Sequence, residues 1–154
     1  MKVREIMTSD VTTCRPETNL AEVVKRMWER DCGVLPVVKS DGTVSGMITD
    51  RDICVALATR GQTADRMAVH DVIGGTAYTC SSDDDAMVAL KTMKSQRVRR
   101  LPVVDAENRL KGILSLNDVI MHAGAASLSD IVSTMASICE PRLPTMAGAG
   151  RKRG

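Results

Sequence analysis

The chain has 154 residues, 44% of them apolar, with 21 Lys and Arg against 19 Asp and Glu. That is the size of one domain or two small packed units, with too balanced a charge to be drawn to nucleic acid or an anionic membrane. Phe is absent and Trp and Tyr occur once each, so the core has to be built from Val, Ile, Leu, Ala and the ten Met.

The elements follow in chain order. A helical turn at Val3–Met7 and a strand at Val11–Cys14 precede an amphipathic helix with Leu20, Val23, Val24 and Met27 on one face. Asn19 caps it, with Glu22 placed to reach back. Strands at Val34–Val38 and Val44–Thr49 are joined through Ser40-Asp41-Gly42, good turn chemistry. A helix after Thr49 carries Ile53, Val55, Ala56 and Leu57. Beyond a linker at Thr59–Arg66 the order recurs: a turn at Val69–Ile73, a strand at Ala77–Cys80, and a helix with Met87, Val88, Leu90 and Met93 whose start is crowded by Asp83, Asp84 and Asp85. Strands Leu101–Val104 and Leu110–Ser115 then lead to a helix with Val119, Ile120 and Met121. Ser127–Cys139 reads as an extra helix capped by Ser127, with Leu128, Ile131, Met135 and Ile138 as its apolar stripe, stopped by Pro141 and Pro144.

The recurrence is a true internal repeat. Shifted by 66 positions, the chain aligns with itself without a gap: Leu35-Pro36-Val37-Val38 falls on Leu101-Pro102-Val103-Val104, Gly46 on Gly112, Asp52 on Asp118 and Cys14 on Cys80. The expected fold class is α/β (α+β): two β-α-β-β-α repeats packed as a pair, plus a C-terminal accessory helix. One repeat of about 55 residues buries too little to stand alone. The expected boundaries are repeat one with its linker over 1–66, repeat two over 67–126, the accessory helix over 127–140 and a flexible tail over 141–154.

The pattern Gly-x-x-[Ser/Thr]-x-x-Asp stands intact in both copies, as Gly46, Thr49 and Asp52 and as Gly112, Ser115 and Asp118. It has two readings. Thr49 with Asp52 and Ser115 with Asp118 are ordinary capping boxes. Equally, a hydroxyl at a helix start suits an anion, and a carboxylate three residues on is an acceptor for a vicinal diol.

Six phrases resemble the CBS domain, named after cystathionine β-synthase. They are Val3–Met7, Gly33–Val38 and Gly46–Ile53 in one copy, and Val69–Ile73, Arg99–Val104 and Gly112–Val119 in the other. The resemblance covers roughly residues 2–124. It implies a pseudo-two-fold pair of repeats with two clefts between them, commonly assembled as a flat homodimer. It also implies a regulatory module that binds an adenine nucleotide (AMP, ADP or ATP), needs no cofactor and catalyses nothing. The Asp of the pattern would then grip the ribose and the hydroxyl would bind ribose or phosphate, which places Thr49, Asp52, Ser115 and Asp118 in the clefts. By the same analogy Val11, Thr12 and Pro36 line one slot for the base, and Tyr78, Arg100 and Pro102 the other. Arg51, Arg99, Arg100 and Lys111 are candidate phosphate cations. S-adenosylmethionine, NAD or a cyclic dinucleotide would use the same carboxylates. Because Arg99 and Arg100 replace Gly33 and Val34, the two clefts are not equivalent.

Two further readings compete: a structural dimerisation module with unoccupied sites, and a thiol-based redox sensor using Cys14 and Cys80. The five cysteines form no CxxC pair, and with only two histidines neither a zinc site nor acid–base catalysis is expected. The odd cysteine count suits reduced thiols in the cytoplasm, in keeping with an N-terminus that has no apolar signal-like stretch. No apolar run reaches the roughly 18 residues of a membrane span. Trp28 and the helix methionines Met27, Met87 and Met93 are expected on an outer face that a second copy covers.

Overall fold

A computed structural model describes residues 1–122 and 124–141. The tail expected over 141–154 therefore lies, past residue 141, outside the described residues. In chain order the elements are α1 (Val3–Ile6), α2 (Leu20–Glu29), β1 (Val34–Val38), β2 (Val44–Thr49), α3 (Asp50–Arg60), 3-10 turns at Ala64–Arg66 and Val69–Asp71, β3 (Cys80–Ser81), α4 (Ala86–Gln96), β4 (Arg100–Val104), β5 (Leu110–Ser115), α5 (Leu116–Met121) and α6 (Leu128–Cys139). None of the helices is long and apolar enough to cross a membrane, among the described residues.

The compact units do not coincide with the sequence repeats. One unit is Val11–Ala77; the other joins Met1–Asp10 to residues 78–141. Each copy's leading turn is thus built into the unit made by the other copy. The exchanged segment adds apolar side chains to the core and passes close over a glycine. In the first unit Met67 and Val69 are buried with Leu20, Leu35 and Ile48, and Val72 and Ile73 pack against them. In the second, Val3 and Ile6 are buried with Leu90, Met93, Leu101 and Leu114. A methyl on Gly112 would stand 2.6 Å from the Thr8 carbonyl, and one on Gly46 would stand 3.1 Å from Ile73 Cδ1. The pattern's glycine therefore serves to admit the exchanged turn.

In the first unit, the Asn19 side chain accepts from Glu22 N at 2.9 Å and starts α2. The Glu22 carboxylate does not reach back to the cap. It turns along the helix to Arg26, 2.9 Å away, where a full positive charge competes better than one N–H. Leu20, Val23 and Met27 are buried and Val24 is exposed. β1 and β2 pair antiparallel with Val34 opposite Thr49 and a bulge at Val37/Val38. The strand expected at Val11–Cys14 shrinks to one parallel bridge, Cys14 to Val37. Cys14 N donates to Pro36 O at 3.1 Å, and Cys14 O accepts from Val38 N at 2.8 Å.

The second unit repeats the hairpin with Arg100 opposite Ser115 and a bulge at Val103/Val104. The strand expected at Ala77–Cys80 is likewise short: β3 pairs parallel to β4 through Cys80 and Ser81 only. The three aspartates before α4 divide their work. Asp83 pairs with Arg4, Asp84 accepts from Ser81 N, and Asp85 is the cap, accepting from Met87 N. That hydrogen bond, above all, holds the Asp85 carboxyl below its ordinary range. α6 packs on α4, with Lys94 donating to Ser133 Oγ, Ser137 Oγ donating to the Lys94 carbonyl, and Arg97 pairing with Glu140.

Two packing expectations are corrected. Met27 and Met93 lie in the cores rather than on an outer face, and Met87 is half-buried against the second core, because their faces of α2 and α4 carry the buried stripe. On α6 the packed stripe is Ile131, Thr134 and Ile138, while Leu128 and Met135 face outward. Thr134 is buried because its hydroxyl is satisfied, donating to the Asp130 carbonyl at 2.8 Å. Since α1 is core to a unit far from it in sequence, Ile6→Ala should cost about 2–5 kcal/mol in urea unfolding. The exposed Val24→Ala should stay within about 0.5 kcal/mol. Equal small losses at both positions would refute the exchanged packing.

Candidate functional site

The two hairpin-to-helix junctions have the same local geometry. Thr49 Oγ1 accepts from Asp52 N at 3.1 Å and donates to Asp52 Oδ2 at 2.7 Å, and Oδ2 also accepts from Thr49 N at 3.1 Å. Ser115 and Asp118 repeat this at 3.2, 2.7 and 2.7 Å. The capping box is therefore formed in both copies. In each it engages Oδ2 alone: among the described residues nothing donates to Oδ1 of either aspartate. All four side chains are half-buried. The capping box thus leaves one oxygen of each carboxylate without a donor among the described residues.

The remaining site residues distribute as follows. In the first unit Val11 and Thr12 are half-buried and Pro36 is buried in β1, its carbonyl bonded to Cys14 N. In the second, Pro102 is buried in β4, and Tyr78 lies against the core, which takes up part of the ring proposed for a base. Arg100 is exposed and sits directly across the sheet from Ser115. The Lys111 ammonium, a candidate phosphate cation, pairs with Asp105 Oδ2 at 3.1 Å. The guanidiniums of Arg99 and Arg100 make no hydrogen bond or ion pair among the described residues.

A cavity of about 200 Å³ lies beside the second junction. Its polar side is Arg99, Arg100, Ser115 and Asn117; its apolar side includes Ile120 of α5 and Met135, Ile138 and Cys139 of α6. The sequence reading missed the part played by α6 here. The signal was present, since Leu128, Val132 and Met135 form a second apolar stripe beside the packed one, but nothing along the chain says what that helix sits against.

The cysteines are all free thiols. Cys14 and Cys80 are buried within their separate units. Burial pushes both thiols up to about 12, with Arg26 weakly opposing this at Cys14 and Asp84 adding to it at Cys80. A thiol so shifted is almost wholly protonated near neutrality and is a poor nucleophile. No three His, Cys, Asp or Glu side chains stand together as a metal site among the described residues.

The chain is similar to several known proteins. The chain is 30% identical over 138 residues to hypoxic response protein 1 of Mycobacterium tuberculosis, covering 90% of this chain and 94% of that one. The crystal structure of hypoxic response protein I, with two coordinated zinc ions, matches at a TM-score of 0.72 and 30% identity, over 79% of this chain and 98% of that one. A CBS domain protein of Pyrobaculum aerophilum complexed with AMP matches at a TM-score of 0.74 over 86% of this chain and 99% of that one; at 19% identity this is a likeness of fold alone. An uncharacterized protein of Methanopyrus kandleri is 28% identical over 120 residues, and there the match spans 78% of this chain but only 61% of the relative. The CBS domain model matches twice, at residues 3–59 and 69–125, so the chain belongs to the CBS domain family as a tandem pair of repeats.

Proposed function

We propose that this CBS pair is a regulatory module that binds an adenine nucleotide at its two strand-to-helix junctions and catalyses no reaction. The observation that carries the reading is Oδ1 of Asp52 and of Asp118, to which nothing donates among the described residues. Each carboxylate is oriented by its own capping box yet keeps one oxygen for a ribose hydroxyl, and neither copy has lost the arrangement. Thr49 and Ser115 bind ribose or phosphate, Val11, Thr12 and Pro36 flank the base in one copy, and Tyr78, Arg100 and Pro102 do so in the other. That a protein of the same fold carries AMP supports this ligand class. AMP, ADP and ATP are the first ligands to test. The module works as a homodimer in the cytoplasm and engages neither nucleic acid nor membrane. Trp28, Met121 and Leu128 support the assembly: they are 86, 79 and 76% exposed, unusual for large apolar side chains. The redox-sensor reading is disfavoured by the raised thiols of Cys14 and Cys80.

Three measurements test these statements. In calorimetry, AMP, ADP or ATP should bind, and Asp52→Ala or Asp118→Ala should each weaken one site by about 1.5–3 kcal/mol, the worth of a charge-assisted hydrogen bond. The alanine variants also lose the N3 half of the capping box, while the N-caps Thr49 and Ser115 remain. Asp52→Asn and Asp118→Asn keep an acceptor for the cap and isolate the ligand effect. No heat and no thermal shift with any adenine ligand would sink the reading. Light scattering should report about 33 kDa, twice the 16.6 kDa chain; a 16.6 kDa species unchanged by concentration would remove the dimer. With an aromatic disulfide reagent at about pH 8, Cys32, Cys54 and Cys139 should react quickly, and Cys14 and Cys80 only on unfolding. A mapped Cys14–Cys80 disulfide would revive the redox sensor.

A further inference from the structure

The two copies use the same side of their long helices differently. On α4, Met87, Leu90, Lys94 and Arg97 follow one another at helical spacing. α6 lies on that side. Lys94 donates to Ser133 Oγ, the Lys94 carbonyl accepts from Ser137 Oγ at 3.2 Å, and Arg97 pairs with Glu140. Ile131 and Ile138 of α6 pack against the core that holds Leu90. Shifted by 66 positions, the same side of the first copy carries Ala21, Val24, Trp28 and Asp31, and all four are exposed. Leu90 is 1% exposed, whereas Val24 in the matching place is 44% exposed. The helix side that α6 covers in the second copy is thus open in the first.

α6 itself is apolar on two sides. Ile131, Thr134 and Ile138 are used within the chain, while Leu128, Val132 and Met135 on the other side are exposed. A helix that is apolar all round is one that gets buried all round. Each chain therefore has one open helix side of the kind that α6 covers, and one α6 with an apolar side to spare. Charge fits the same pairing. At the end of α4, Arg97 meets Glu140. Asp31 stands in the place of Arg97 after α2, and the chain beyond Glu140 carries Arg142, Arg151, Lys152 and Arg153 with no acid. An α6 laid on α2 in the direction it takes on α4 brings positive charge to an exposed carboxylate.

We propose that in the homodimer the outward side of each chain's α6 lies on α2 of the other chain, along Ala21, Val24 and Trp28. This inference rests on the homodimer of the proposed function and not on its ligand. The two contacts are related by closed two-fold symmetry, so each residue pair occurs twice. One helix side falls short of the roughly 800 Å² that each partner buries in a stable interface, and the reciprocal arrangement has each chain contribute two. On α4 the residue matching Trp28 is Lys94, which meets Ser133. Val132 is its neighbour on the open side of α6, so Trp28 and Val132 form the central pair. The inner side of the accessory helix completes the second unit, and its outer side covers the partner's first.

The test is light scattering over a concentration series on the full chain, as wild type, Trp28→Glu, Val132→Lys and the Trp28→Glu/Val132→Lys double variant. Both side chains are exposed, so far-UV circular dichroism of the variants should match wild type. Wild type should reach about twice the 16.6 kDa chain mass. Each single variant puts a lone charge into both contacts and should weaken dimerisation roughly a hundredfold. The double variant sets the new carboxylate of one chain against the new ammonium of the other, and should return dimerisation to within roughly tenfold of wild type. A loss in Trp28→Glu that the second change does not recover sets Trp28 against another surface, such as its own image, and overturns the contact with α6. Unchanged dimerisation in both single variants overturns the contact and leaves the dimer standing. A mass that climbs past two chains with concentration overturns the reciprocal closure. A wild type that stays at the mass of one chain overturns the homodimer, and this inference with it.

Discussion

Each unit closes over a slot that its own copy cannot fill. The hairpin leaves a gap at Gly46 or Gly112, narrow enough that a methyl on Gly112 would meet the Thr8 carbonyl at 2.6 Å. The segment that follows the other copy's turn lies there, Met7 and Thr8 over Gly112 and Ile73 and Gly75 over Gly46, while Val3 and Ile6, or Val69 with Val72 and Ile73, join the core. A repeat of about 55 residues is short of core, and the borrowed turn adds apolar side chains where the shortage falls. The exchange makes neither unit complete without the other's leading segment. That accounts for the glycine of the repeated pattern on packing grounds alone.

The same junctions carry the proposed site. A strand ends, a helix begins, and the hydroxyl and carboxylate that close the capping box are those the proposal assigns to a ribose. Capping demands one carboxylate oxygen, and a carboxylate has two. The residue is therefore held rigid by structure while retaining acceptor capacity, the arrangement that a preorganised binding group needs. Around this shared frame the copies differ in charge: a carboxylate over Gly33 in one, and in the other Arg99 and Arg100, whose guanidiniums have no partner among the described residues. The backbone hydrogen bonds are alike in both copies while the surrounding side chains differ.

The cysteines show burial setting chemistry. Cys14 and Cys80 hold equivalent places, each beside the buried end of a β-bridge, and both thiols are pushed up to about 12. Their matching positions reflect the repeat and its packing needs. Cys139 differs: it is exposed on α6 and borders the cavity.

Much of this was legible along the chain. The 66-residue offset, the order of elements, the caps at Asn19, Thr49, Ser115 and Ser127, and the CBS phrases are local or periodic signals that a single sequence carries in full. The junction residues were legible too, as a pattern open to both capping and binding. Tertiary structure alone decided three things. The turns at Val3–Ile6 and Val69–Asp71 hold matching places in the repeat, and only the path of the chain through space assigns each to a hairpin. The strands before α2 and α4 lost most of their expected length because a bridge needs a partner strand, and only Cys14, Cys80 and Ser81 meet one. On α6 two apolar stripes run side by side, and hydrophobicity alone does not choose between them. The choice fell to the stripe containing Thr134, whose hydroxyl is satisfied within the helix, and that choice turned Met135 and Cys139 toward the arginines.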